Sequence, residues 1–216
     1  MRILLFAIIS FLTFSLFGGV VNQNNDFQVW ILESVNTPLS DKFKLHLDGE
    51  LRYGDDGSTL YLWYIQTRLD YSACNWLDIT PGYRHLYVLR PSDRKWLLIY
   101  DPLLDITLKS KLGRWQIADR NRTQYLLFDS GPTLWQYRNR ILAISPWKLG
   151  GLNPQISNEF FFRENVGYAE NRFSVGGTFQ TTKKTSCTLL YTLRHQKRSD
   201  MWKRHHVLWA ILSQSF

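Results

Sequence analysis

The chain has 216 residues, a length typical of one domain, with a formal net charge of +8 at pH 7 and 44% hydrophobic residues. Its mean hydropathy of −0.26 excludes a bundle of membrane helices. It does not exclude a membrane β-barrel, in which only every second strand residue faces lipid. The basic residues are spread along the chain rather than clustered, which argues against a partner of nucleic acid.

The N-terminus has the layout of a secretory signal peptide. Arg2 precedes an apolar run over residues 3–17, and Gly18 and Gly19 supply the small residues at which cleavage occurs. We therefore predict a signal peptide over residues 1–19 and export to the bacterial outer membrane. A retained anchor stays open as an alternative, because residues 3–21 are just long enough to span a bilayer.

We interpret residues 20–40 as an N-terminal segment or a first strand. Ten short stretches rich in turn-forming residues then follow along the chain. They begin at Leu39-Ser40-Asp41 and end at Arg198-Ser199-Asp200, about 16 to 19 residues apart. A soluble sandwich turns every ~8–12 residues, whereas a transmembrane strand needs ~9–11 residues plus its turn. The spacing predicts an all-β fold, an antiparallel transmembrane β-barrel of 10–12 strands that includes residues 41–216.

The strand number follows less directly from the pattern. Single-chain bacterial barrels have an even number of strands, with both termini expected on the periplasmic side. Counting back from Phe216 makes the segment from Asp41 the first strand of a ten-strand barrel. Residues 22–37 then either lie against the barrel or indicate a twelfth strand.

Alternation along the strands assigns the two faces of the sheet. One face of the segment from residue 43 carries Phe43, Leu45 and Leu47, and the other carries only polar and charged side chains. In the next segment the alternation puts Tyr61 and Trp63 together on the apolar face. A soluble core does not tolerate so many charges on its inner face. We expect the apolar face to meet lipid and the ionic face to line the lumen.

Tryptophans lie near both sets of alternate turns, which fall at opposite ends of a barrel. Such a distribution is typical of two aromatic belts, one at each membrane surface, although cross-strand packing of aromatics is the alternative. The tryptophans concerned are Trp76, Trp115 and Trp147 for one set of turns, and Trp63, Trp96, Trp135 and Trp202 for the other.

A set of short motifs resembles the bacterial outer-membrane family catalogued as domain of unknown function 2490. The resemblance covers essentially the whole mature chain and implies an outer-membrane barrel without any assigned catalytic residue. The motifs are Trp30, Leu39-Ser40-Asp41-Lys42, Gly49-Glu50-Leu51-Arg52-Tyr53-Gly54, Pro81-Gly82-Tyr83-Arg84, Asp119-Arg120-Asn121-Arg122, Tyr137-Arg138-Asn139-Arg140, Glu170-Asn171-Arg172 and Phe216.

The inward face gathers an unusual number of arginines. Rings of arginine select anionic solutes in channels, so one interpretation is a narrow anion-favouring pore. The other is a structural protein whose lumen is filled by arginines and carboxylates that neutralise each other. The basic residues are Arg52, Arg68, Arg84, Arg120, Arg122, Arg138, Arg140, Arg172 and Arg194, and the acidic residues are Asp48, Glu50, Asp70, Asp101, Asp105 and Glu159.

No motif for nucleophilic or metal-dependent hydrolysis occurs in the sequence, so we predict no catalytic residue, metal or cofactor. An outer-membrane enzyme acting on lipid is kept as an alternative, and so is an exported soluble barrel with an apolar interior.

His205 and His206 follow a turn and are expected at the surface. Cys74 and Cys187 are expected to be structural. The predicted partners are outer-membrane lipid and, through the C-terminal strand ending in Phe216, the barrel-assembly machinery.

Overall fold

The computed structural model describes residues 23–129, 131–198 and 200–216, and in these ranges the chain is all-β. Eleven strands follow one another around a closed barrel, and β11 closes on β1. These residues include no apolar helix of membrane-crossing length. The predicted signal peptide, residues 1–19, lies outside the described residues. The strands are β1 (Asp26–Pro38), β2 (Phe43–Gly54), β3 (Thr59–Cys74), β4 (Leu77–Leu89), β5 (Trp96–Leu112), β6 (Trp115–Phe128), β7 (Leu134–Ile144), β8 (Leu152–Arg163), β9 (Gly167–Gln180), β10 (Thr185–Arg198) and β11 (Met201–Ser215).

Closure pairs β1 with β11 in parallel, whereas every other neighbouring pair is antiparallel. Each hairpin reverses the chain, so the first and last of eleven strands point the same way and can pair only in parallel. The count of eleven lies within the predicted range of 10–12. The number is odd, although an even number is usual for single-chain bacterial barrels, and the predicted antiparallel arrangement holds for every pair except the closing one.

Residues 26–38 form a strand of the barrel wall, β1, so the prediction that a ten-strand barrel begins at Asp41 is wrong. Asp26 lies opposite His205 and Asn36 opposite Ser215, so β1 pairs with most of the edge of β11. An uncovered edge would leave a row of unpaired backbone groups. The parallel pairing also places the start of β1 and the end of β11 at opposite ends of the barrel, which contradicts the prediction that both termini lie on one side.

The two ends are named here by their connections. The upper end carries the start of β1 and the connections after β2, β4, β6, β8 and β10. The lower end carries Phe216 and the connections after β1, β3, β5, β7 and β9. These connections are short and fall where the turn signals predict them. The β2–β3 turn has positive φ at Asp55, Asp56 and Gly57, a conformation that Asp and Gly adopt more readily than most residues.

The outer wall is largely apolar. Leu47 is 49% exposed and Ile65 is 54% exposed, although both lie in the middle of their strands. Aromatic rings pack in pairs near both ends, including Trp115 with Trp147 at the lower end and Tyr168 with Trp202 at the upper end. Other exposed apolar side chains of this wall are Leu104, Ile106, Leu108, Ile141, Ile156, Phe173, Val175, Leu189, Leu208 and Leu212.

One polar patch interrupts the outer wall on β6 and β7. The Nδ2 of Asn139 donates to Asp119 at 2.5 Å and to Asn121 at 3.2 Å, and the hydroxyl of Tyr137 donates to Asn121 at 2.5 Å. Because these polar groups bond to one another across the strands, facing an apolar surrounding costs them less than it would cost isolated groups.

Candidate functional site in the barrel lumen

The lumen holds the charged side chains of the inner face, which form ion pairs within strands and between them. Arg52 contacts Glu50 at 2.9 Å, and Arg68 contacts Asp48 at 2.9 Å. The other arginines with a carboxylate partner inside the barrel are Arg84, Arg120, Arg122, Arg138, Arg172 and Arg194, and their acidic partners are Asp101, Asp105, Glu159 and Glu170. Asp70 pairs with His46 instead, at 2.6 Å. Arg140 lines the lumen beside Arg120 but has no carboxylate within 4.0 Å among the described residues.

The middle of the lumen on β4 to β6 is a layer of buried ion pairs. Asp105 accepts two hydrogen bonds from Arg122, at 2.6 and 2.7 Å, in a bidentate arrangement. Asp101 accepts hydrogen bonds from the guanidinium of Arg84 and, at 2.6 Å, from Gln124. Asp101 and Gln124 are 0% exposed, and Asp105 is 2% exposed. Asp101, Asp105 and Gln124 are therefore almost completely shielded from solvent.

Glu159 on β8 is shared by several arginines. Its Oε1 accepts hydrogen bonds from Arg120 at 2.5 Å and from Arg138 at 2.8 and 3.1 Å. A guanidinium nitrogen of Arg172 lies 4.0 Å from its other oxygen. One carboxylate thus neutralises arginines from β6, β7 and β9. Buried ions are tolerated only when such pairing offsets the loss of hydration.

Glu170 on β9 has the same role and was missed by the sequence analysis of the inner face. It accepts hydrogen bonds from Arg172 at 2.6 Å and from Arg194 at 2.9 and 3.0 Å, and Arg163 lies 3.9 Å away. The signal was available, because Glu170 precedes Arg172 by two residues and strand side chains alternate with a period of two.

Trp30 of β1 fills the lumen beside these arginines and is 0% exposed. The guanidinium of Arg52 lies 3.9 Å from its ring centroid, and that of Arg172 lies 4.8 Å away. Desolvated cation–π contacts of this kind contribute about 2 kcal/mol. The indole Nε1 of Trp30 donates to the hydroxyl of Tyr61 at 3.1 Å, which fixes the ring inside the barrel.

Two residues lie on the face opposite to the one predicted. Tyr61 was expected on the apolar outer face, but a register shift between β2 and β3 pairs Arg52 with Leu62 and Tyr53 with Leu60, and this bulge turns Tyr61 inward. His205 was expected at the surface but is 0% exposed inside the barrel. Neither of its ring nitrogens has a hydrogen-bond partner in the described part of the chain.

Two internal cavities flank the ion-paired layer. The upper cavity, of about 300 Å³, lies between Arg52, Tyr64 and Arg84 below and Leu89, Pro91 and Arg198 at the upper end. The lower cavity, of about 120 Å³, is lined by Arg68, Asp70, Asp78, Thr80, Asp105, Thr107, Ala118, Arg120 and Arg140. Buried side chains of the ion-paired layer thus lie between these two cavities.

Other candidate reactive groups lie apart from these cavities. His85 is on the outer wall, with its ring 5.1 Å from that of Tyr83 and 5.3 Å from that of Tyr100. Cys74 and Cys187 are free thiols. Within the described ranges, no group of three or more His, Cys, Asp or Glu side chains is arranged to hold a metal ion.

Comparison with protein families gives one match. A family model described as "Protein of unknown function (DUF2490)" matches residues 27–205, which is most of the chain and extends from β1 to the fifth residue of β11. A comparison with curated proteins found no match. The family that the sequence motifs suggested is thus confirmed: the chain belongs to the DUF2490 family.

Proposed function

We propose that this chain is a non-enzymatic β-barrel of the bacterial outer membrane, exported by its N-terminal signal peptide, with a lumen closed by ion pairs. It resides in the membrane as a structural or binding protein rather than as an open pore. The proposal has two parts, insertion into lipid and closure of the lumen, which depend on different observations and are tested separately.

The distribution of polarity between the two faces of the wall supports insertion. Exposed apolar side chains such as Leu47 and Ile65 face outward, while charged pairs such as Arg122 and Asp105 are 3% and 2% exposed inside. A soluble barrel requires the reverse arrangement, because water solvates charges and not leucines. Paired aromatic rings near both ends fit the two interfaces of a bilayer.

Burial of the middle layer is the observation that carries the proposal of a closed lumen. A water-filled path through this layer would leave its walls accessible to water, yet Asp101, Gln124 and Trp30 are each 0% exposed. Arginines act as a selectivity ring for anions only where they face a conducting path. Here nearly every arginine of the layer donates to a carboxylate instead, which supports a filling role for these charges.

The C-terminal strand supports recognition by the barrel-assembly machinery. Phe216 is 56% exposed, and its backbone N–H donates to the carbonyl oxygen of Asn36 at 3.1 Å. The aromatic side chain therefore stays accessible at the lower end, although its backbone is paired with β1. On this proposal the lower end faces the periplasm, and the start of β1 lies at the outer surface.

Reconstitution into liposomes tests both parts. Insertion predicts that the refolded protein floats with the vesicles, resists alkaline extraction and migrates differently on a gel before and after heating. Closure predicts that chloride trapped in these vesicles leaks no faster than from empty ones. Extraction by alkali would contradict insertion, and rapid chloride release by a heat-modifiable barrel would restore the anion-favouring pore.

A further inference from the structure

The upper cavity has two chemically different walls. Its volume of about 300 Å³ is at the lower end of the range for small-molecule sites. Strands β3 to β7 contribute mainly apolar side chains, and strands β8 to β10 contribute mainly arginines. A lumen that only neutralises charge has no need for such a division, so the division itself indicates a ligand with two different parts.

The apolar wall is a continuous cluster. Tyr64, Leu86, Ile99 and Leu126 are buried and pack together, each no more than 9% exposed. Partly buried side chains of the same cluster extend it towards the upper end, and those that also line the cavity are Leu62, Val88, Phe128 and Leu134. Apolar surface that borders a polar cavity is the surface on which an alkyl chain is most favourably placed.

The basic wall has more positive than negative charge. Glu170 is the one carboxylate among the described residues that line the cavity, and Arg172 and Arg194 already donate to it.

Arg163 donates from Nε to Gln136 at 2.7 Å, and its nearest carboxylate contact is the 3.9 Å approach to Glu170. Arg198 donates from Nε to Gln196 at 3.0 Å and has no carboxylate within 4.0 Å in the described ranges. Each guanidinium has five N–H donors, so both keep donors for an anion.

We propose that the upper cavity binds an amphiphilic anion. A phosphate or carboxylate head group pairs with Arg163 and Arg198, and a short alkyl chain lies on the apolar wall formed by β3 to β7. Guanidinium groups match the geometry of both head groups in bidentate pairs. The site lies inside the barrel, so the proposal does not depend on insertion into a membrane.

Isothermal calorimetry on detergent-free protein held in an amphipathic polymer tests the proposal with four probes. Octyl phosphate and octanoate carry both parts of the ligand, inorganic phosphate carries only a head, and octyl glucoside carries only the chain with a neutral head. We expect saturable binding of one octyl phosphate or octanoate per barrel, and the tighter of the two identifies the preferred head group. Inorganic phosphate and octyl glucoside bind at least about tenfold more weakly, since each lacks one set of contacts.

Paired substitutions locate the site. Arg163→Gln combined with Arg198→Gln weakens octyl phosphate binding at least about tenfold, because charge-assisted hydrogen bonds are lost. Val88→Thr keeps the side-chain shape but places a hydroxyl on the apolar wall, so it weakens octyl phosphate binding several-fold. The matched control is Arg140→Gln, which changes an arginine of the lower cavity and leaves the affinity unchanged.

A shift in gel migration on heating shows that the barrel of each variant has formed. If the double variant does not fold, Arg163→Gln and Arg198→Gln are measured separately. Octyl glucoside binding as tightly as octyl phosphate, or an affinity that survives loss of both arginines, overturns the proposal. Absence of binding by all four probes to the folded wild-type barrel overturns it as well.

Discussion

The two cavities of the lumen differ in how their arginines are neutralised. The lower cavity is lined by three arginines and three aspartates, so its charges balance within the wall itself. Among the residues that the structure describes, the upper cavity is lined by seven arginines and one carboxylate, that of Glu170. Arg52, Arg84 and Arg138 are neutralised from below by Glu50, Asp101 and Glu159, while Arg163 and Arg198 lack a close ion pair.

The difference shows that the number of arginines in a lumen does not define its role. The position of the carboxylates does. Where the lining has as many carboxylates as arginines, as in the lower cavity, the opposite charges offset one another. Where arginines outnumber carboxylates beside an apolar wall, the same residue type is available to a ligand. The predictions that follow remove a neutralising carboxylate, fill the basic cavity, or disturb the balanced one.

The largest effect is expected from Glu159→Gln. This change leaves Arg120 and Arg138 without their carboxylate in a buried layer, and breaking a buried pair costs about 3–5 kcal/mol. Urea unfolding of the barrel in lipid, followed by loss of the heat-modifiable band, measures the change. Glu164→Gln is the matched control, because Glu164 is exposed in the β8–β9 turn and accepts the backbone N–H of Trp135, which a glutamine oxygen also accepts. Equal stability of the two variants would contradict the neutralising role of Glu159.

A smaller effect is expected when the upper cavity is filled. Octyl phosphate at a hundred times its Kd raises the free energy of unfolding by about 2.7 kcal/mol if it binds only the folded barrel. The same urea titration measures this shift. The variant lacking Arg163 and Arg198 shows no comparable shift at that concentration, and a shift of the same size in both proteins would place the ligand elsewhere.

The smallest effect is expected from Asp78→Asn in the lower cavity. Asp78 contacts Lys109 at 2.7 Å, but the two side chains are 20% and 39% exposed. Pairs that reach solvent contribute about 0–1 kcal/mol and weaken in salt. The urea midpoint therefore shifts slightly in low salt, and the difference from the wild-type protein vanishes in 1 M salt. A loss as large as that of Glu159→Gln would show that the lower pairs are buried.

Local chemistry was sufficient to predict most of the wall. The turns contain Gly, Asp, Asn and Pro, as at Asp55-Asp56-Gly57, and alternation assigned the faces from residues that are close in sequence. Closure was not predictable in this way. The parallel pairing of β1 with β11 depends on whether the total number of strands is odd or even, and no window of sequence around Asp26 contains that information.

The lumen was predicted in composition but not in arrangement. Alternation of side chains along each strand predicts that the arginines face inward. Their ion pairs depend instead on how neighbouring strands are shifted along one another, and Glu159 on β8 accepts a hydrogen bond from Arg120 on β6, two strands away. The apolar wall did leave a signal. Leu86, Tyr87 and Val88 are consecutive apolar residues, so both faces of β4 are apolar near the upper end. Tyr61 was misplaced because a bulge between Arg52 and Tyr53 interrupts the alternation.

Single-channel recording in a planar bilayer tests the central claim, that ion pairs close the lumen. Refolded, heat-modifiable protein is added to a bilayer with a salt gradient across it, and the current is followed at both polarities. A closed lumen predicts a barrel that inserts without stable conductance, because Asp101, Gln124 and Trp30 are fully buried inside it. A stable conductance with anion preference would contradict it and make the arginines the lining of a channel.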